Sequence, residues 1–144
     1  MSIEIFVLSD RRLGSIADWQ QAINAEGFDL RLDTSRPFEA LSGHLPAHRG
    51  AQHAGFECDH WDPHDIIGSY EHIDFGRPWT QTLAFRFGGD FHALWGAYAA
   101  AAAYAKATEG VLFDSESGEV LPPDRAIAAA REIERDLPNL LARS

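Results

Sequence analysis

One cysteine (Cys58) and one lysine (Lys106) are all that this chain of 144 residues holds of either type, and no apolar run approaches a membrane span. A lone thiol excludes an intramolecular disulfide. A helix that crosses a bilayer needs about 20 consecutive apolar residues. The alanine-rich segment, the longest candidate, is interrupted by His92, Tyr104 and Lys106. The start of the chain has no basic flank, and its apolar run from Ile3 to Leu8 is too short for a signal peptide. These absences predict a cytoplasmic protein.

Positive charge is the other scarcity. Twelve bases face 22 acids, giving a net charge of −10. Nucleic acids and anionic membranes select a basic surface that neutralises phosphate, so neither is an expected partner. A basic protein is, because opposite net charge speeds encounter. Between Arg49 and Arg77 there is no lysine or arginine, yet Glu57, Asp59, Asp62, Asp65, Glu71 and Asp74 lie there with His53, His60, His64 and His72. Like charges at this density require compensation by solvent, a metal ion, protonated histidine or a basic partner.

Length sets one domain, and 45% hydrophobic residues supply a core. Ile3 to Leu8 is apolar on both faces, which predicts a central strand. Ser15 opens a helix whose Ile16, Trp19 and Ile23 fall at helical spacing, and Gly27 closes it. Phe28 to Asp33 alternates as a half-exposed strand. Residues 34–80 show no helical period; a short strand near Gln52 to Cys58 is expected, among turns. Thr82 to Gly88 alternates again, and Asp90 caps a helix that carries nine alanines between 91 and 108. Val111 to Phe113 and Glu119 to Leu121 form a hairpin around Gly118. Pro123 starts a last amphipathic helix that Pro138 should end or kink. The order β-α-β, loops with β, then β-α-β-β-α predicts an α/β (α+β) fold: a single-domain two-layer sandwich with a mixed or antiparallel sheet and about three helices.

Several short motifs carry a resemblance across roughly residues 5 to 130. Trp19-Gln20 with Gly27-Phe28, Ser42-Gly43-His44-Leu45-Pro46, Gly55-Phe56-Glu57, and Thr108-Glu109-Gly110-Val111-Leu112-Phe113-Asp114 with Gly118 resemble a family of small uncharacterised bacterial proteins. Small acidic proteins of this sort are similar to immunity proteins of bacterial toxin systems. The resemblance carries no assigned catalytic activity over to this chain, and no cofactor is expected.

Candidate sites crowd the base-free stretch. His60, Asp62 and His64 have the right donor types for zinc, iron or manganese and would share one face of an extended segment. Pro63 interrupts such a strand, and no recognised zinc spacing is present. Cys58 sits between Glu57 and Asp59, whose charge disfavours a thiolate nucleophile. Gly88-Gly89 lacks the lysine and full glycine pattern of a phosphate loop. Trp61, Tyr70, Phe75 and Trp79 are interleaved with the acids, either as core or as interface anchors. The preferred expectation is a non-enzymatic inhibitor of immunity type. It would occlude a basic surface, such as a nuclease cleft, through Glu57, Asp59, Asp62, Asp65, Glu71 and Asp74, with Trp61 and Tyr70 as anchors. The alternative is a small metal-dependent enzyme built on His60, Asp62 and His64, and a third reading is a homo-oligomeric structural protein. If His60, His64 and His72 lie among the carboxylates, their pKa values should be raised.

Overall fold

The computed structural model describes residues 2–143. Its main sheet has six strands, all paired antiparallel: β1 (Ile3–Ser9), β3 (His44–Leu45), β6 (Phe56–Trp61), β7 (Gln81–Phe87), β8 (Val111–Asp114) and β9 (Glu119–Leu121). The order across the sheet is β3-β6-β7-β1-β8-β9. β1 is central, as its two apolar faces predict. Ile5 and Val7 enter the larger core and Phe6 and Leu8 a smaller one on the opposite side.

Three helices cover the first face: α1 (Ile16–Ala25), α3 (Phe91–Thr108) and α4 (Pro123–Arg143). The expected α+β sandwich is therefore present. Ser15 caps α1 by accepting the Asp18 N–H at 3.0 Å, and Asp90 caps α3 by accepting the His92 N–H at 2.9 Å. From Trp95 to Ala105 every residue of α3 is buried. A helix buried all round needs apolar or small side chains on every face, and its alanines meet that need. α4 continues through Pro138 to Arg143, so Pro138 does not end the helix. Pro138 lies on the exposed side of the helix, where its ring displaces no core contact.

The alternation from Phe28 to Asp33 buries Phe28, Leu30 and Leu32, but only Arg31–Leu32 is a strand, β2. The Gln20 side-chain amide takes the place of a neighbouring strand: its Nε2 donates to the Leu30 carbonyl, and its Oε1 accepts the Leu32 N–H, each at 2.7 Å. β2 joins β4 (Ala47–Arg49) and β5 (Gln52–His53) in a small second sheet. That sheet docks on α3, where the backbone of Ala54 lies directly against Gly96.

The expected strand near 52–58 resolves into β5 and β6, broken at Ala54-Gly55. β6 and β7 are sheet neighbours, yet residues 62–80 between them make a long excursion over the second sheet face. It contains a fourth helix, α2 (Pro63–Ser69), which helical periodicity does not reveal. Ile66 and Phe75 from this excursion pack with Phe6, Leu8, Ala84 and Phe113. Among the described residues, no helix is long and apolar enough to cross a membrane.

A β-carbon at Gly96 would collide with the Ala54 carbonyl, which is backbone and cannot rotate away. Helix propensity alone favours alanine by about 1 kcal/mol, whereas overpacking costs typically 1–3 kcal/mol. Gly96→Ala is expected to lower stability by about 2 kcal/mol; an unchanged or raised midpoint in urea denaturation refutes this close approach.

Candidate functional site

A cleft of about 730 Å³ opens between α2 and the loop 73–80, at the end of the stretch that lacks bases. Its walls are apolar: Pro63 and Ile67 from α2, Ile73 and Phe75 opposite, with Pro78 and Trp79 closing one end. Asp62, His64, Asp74, Arg77 and Thr80 supply its polar groups.

Each wall is held by identifiable bonds. Asp62 caps α2 by accepting the His64 N–H and a contact from the His64 ring, both at 2.9 Å, and Pro63 occupies the first helical position, where its missing N–H costs nothing. The opposite loop is tied down by Asp10, at the end of β1. Asp10 accepts from the backbone and hydroxyl of Thr80 at 3.1 and 3.2 Å and pairs with Arg77 at 2.7 Å. Asp74 turns the chain by accepting the Gly76 N–H at 2.8 Å, and the Trp79 indole donates to the Phe75 carbonyl at 2.7 Å. Arg77, which also lies over the Trp79 ring, spends its charge on Asp10. The bonds from His64 hold the Asp62 carboxyl below the usual aspartate range, so it stays ionised.

The predicted binding residues are divided by this geometry. Asp62 and Asp74 line the cleft together. Trp61, next to Asp62, keeps 37% of its surface exposed while resting against Phe6. Asp65 and Glu71 are exposed outside the cleft lining. Glu57 and Asp59 share one face of β6 with Trp61, as their alternation requires. Glu57 lies opposite Arg86 in the register, and Asp59 accepts the Gly43 N–H at 3.0 Å. Tyr70 packs edge-on to Phe113 with ring centroids 4.8 Å apart, so its ring is committed to the second core. Phe75 is buried there too. Ile67, Ile73 and Pro78 carry no chemical signal in the sequence and become wall residues only once α2 and the loop fold back on the sheet.

The proposed ligand trio is not assembled. β6 ends at Trp61, so His60 stays on the helix-side face while Asp62 and His64 begin α2. The His60 Nε2 lies 2.8 Å from the Phe38 carbonyl and 3.1 Å from the Arg12 guanidinium, and its ring abuts Phe38. Among the described residues, no group of three or more His, Cys, Asp or Glu side chains is placed to hold a metal ion. The expected rise in the His60 pKa is also reversed. Burial depresses it and the Arg12 charge adds to this, against the Phe38 carbonyl, Asp59 and Glu39, which act the other way. Cys58 is fully buried, and burial together with Asp59 pushes its thiol pKa well up, which leaves no thiolate nucleophile.

Compared with known proteins, the chain matches no family model, no curated protein and no solved structure.

The lowered His60 value sets a pH signature. The unfolded imidazole titrates near 6.5, above the folded value, so its contribution to stability is complete above that pH. It is lost as pH falls through 6.5 toward the folded pKa. Between about pH 7.5 and about pH 5, wild-type protein is expected to lose more stability than His60→Gln. Parallel urea midpoints for the two chains across that range would contradict the assignment.

Proposed function

We propose that this chain is a non-enzymatic binding protein of the cytoplasm that docks a basic protein through the segment 57–74, as an immunity-type inhibitor docks its toxin. One observation carries the reading: an apolar cleft large enough for an anchoring side chain has the Asp62 and Asp74 carboxylates on its rim and no free base. Its only arginine, Arg77, is paired with Asp10. An apolar socket ringed by acid complements an apolar or aromatic anchor flanked by lysine or arginine. Trp61, exposed beside Asp62, extends the contact surface. Glu57, Asp65 and Glu71 act at longer range, raising the rate of encounter more than the strength of the final complex. Occlusion of a basic cleft, such as that of a nuclease, is the inhibitory mode this charge distribution suits.

The six carboxylates and the socket make separable contributions. Immobilised wild-type protein is expected to retain a basic protein from a lysate of its native host, with retention falling as salt rises. Changing Glu57, Asp59, Asp62, Asp65, Glu71 and Asp74 to their amides should abolish the salt dependence and most of the retention. Ile67→Glu, which places a charge in the apolar wall, should accelerate dissociation with little effect on association. Retention of the same protein by the amide variant, with the same salt dependence, rejects the proposal.

A further inference from the structure

We propose that His48 and His53 form a two-imidazole binding site for a divalent cation of the zinc class, on the face of the molecule formed by the small sheet. The site is separate from the acidic cleft and does not rest on the reading above. β4 and β5 are joined by a tight turn at Gly50-Ala51, with Gly50 in the left-handed region at φ 60°. The Ala54 N–H donates to the Ala47 carbonyl at 2.9 Å, so Ala47 and Ala54 are a hydrogen-bonded pair and the adjacent His48 and His53 are a non-hydrogen-bonded one. Side chains of such pairs stand closest, with β-carbons about 4.5–5.5 Å apart. Here the two imidazole centroids are 4.7 Å apart with the rings tilted by 48°. Two imidazoles at that spacing can turn one nitrogen each toward a shared ion, which zinc binds at about 2.0–2.1 Å.

The nitrogens are available for this. Neither ring makes a hydrogen bond to another described residue, in contrast to His60 and His64. Both rings line a cleft of about 380 Å³ that also carries His44 and the Asp90 carboxylate, so the field around the pair contains a negative charge. The hairpin is braced on α3 and α4. The Arg49 guanidinium lies over the buried Trp95 ring at 4.8 Å and reaches Glu134 at 4.0 Å, and Ala54 lies against Gly96. The ligands are thus presented by a supported hairpin, which lowers the ordering cost of binding. Imidazole nitrogens suit zinc, copper and nickel and disfavour magnesium and calcium, and water completes the coordination.

Zinc titrated into the full chain above neutral pH, where imidazole is free to ligate, should shift the Cε1–H resonances of His48 and His53 together. The shifts should saturate at one ion per chain. Loss of either ligand removes the chelate advantage, so His48→Gln and His53→Gln should each weaken apparent affinity by about a hundredfold. His53 is exposed, so His53→Gln tests the site without disturbing the core. Magnesium at the same concentrations should move neither resonance. Stationary His48 and His53 resonances in zinc overturn the site, as does zinc affinity that survives both substitutions.

Discussion

Everything in this fold depends on how closely other elements approach α3. The helix is buried along most of its length and touches the sheet, α1, α4 and the β4–β5 hairpin at once. Only small side chains permit that on all sides: alanine where helix meets sheet or helix, and glycine at position 96, where another backbone arrives. The few large residues mark where neighbours stand farther off. The Trp19 indole from α1 donates to the Ala100 carbonyl at 2.9 Å, a bond to a helical backbone exposed by the lack of side-chain bulk. Tyr98 donates to Asp114, which fixes α3 to β8, and burial with that carboxylate partner pushes the Tyr98 pKa upward. The Arg131 guanidinium lies over Phe28 and donates to the Glu26 carbonyl, joining α4 to the end of α1.

With one face of the sheet occupied by this helical layer, the opposite face has to be covered by other means. The connection from β6 to β7 supplies the cover. A tight hairpin would suffice to join two antiparallel neighbours, so the length of residues 62–80 serves another purpose: it buries Phe6, Leu8 and Phe113 under Ile66 and Phe75. The cleft arises where α2 and the returning loop part. Function and packing are therefore drawn from the same residues, and Asp62 both caps α2 and rims the cleft.

Charge in this region is resolved mainly by solvent and by backbone donors. Asp59, Asp62 and Asp74 each accept backbone N–H groups, while Asp65 and Glu71 face water. The density of like charge seen in the linear chain is diluted by distribution over a strand face, a helix start and a loop. What stays concentrated is the pair at the cleft, beside an apolar surface that a partner can desolvate. The histidines are likewise dispersed: His60 enters the helix-side layer, His64 answers Asp62, and His48 meets His53 on a different sheet.

Local pattern determined most of the alternating strands, Phe28 to Asp33 excepted, and the capped helices, the 111–121 hairpin and the α+β class, because period and capping chemistry act between near neighbours. It also determined that β1 is central and α3 enclosed, since an element apolar on every face has nowhere else to go. The pairing order, the helix α2, the replacement of strand pairing by Gln20 and the course of α4 past Pro138 were decided by contacts between distant residues. The same holds for the sites. His60, Asp62 and His64 look like a ligand set when read as one extended strand, but the helix begun at Pro63 separates them. His48 and His53 carry no motif and meet only through a hairpin register. Sequence spacing ranks side chains by type and period; which of them share a space is settled by burial, and burial here is set by how the chain closes around α3.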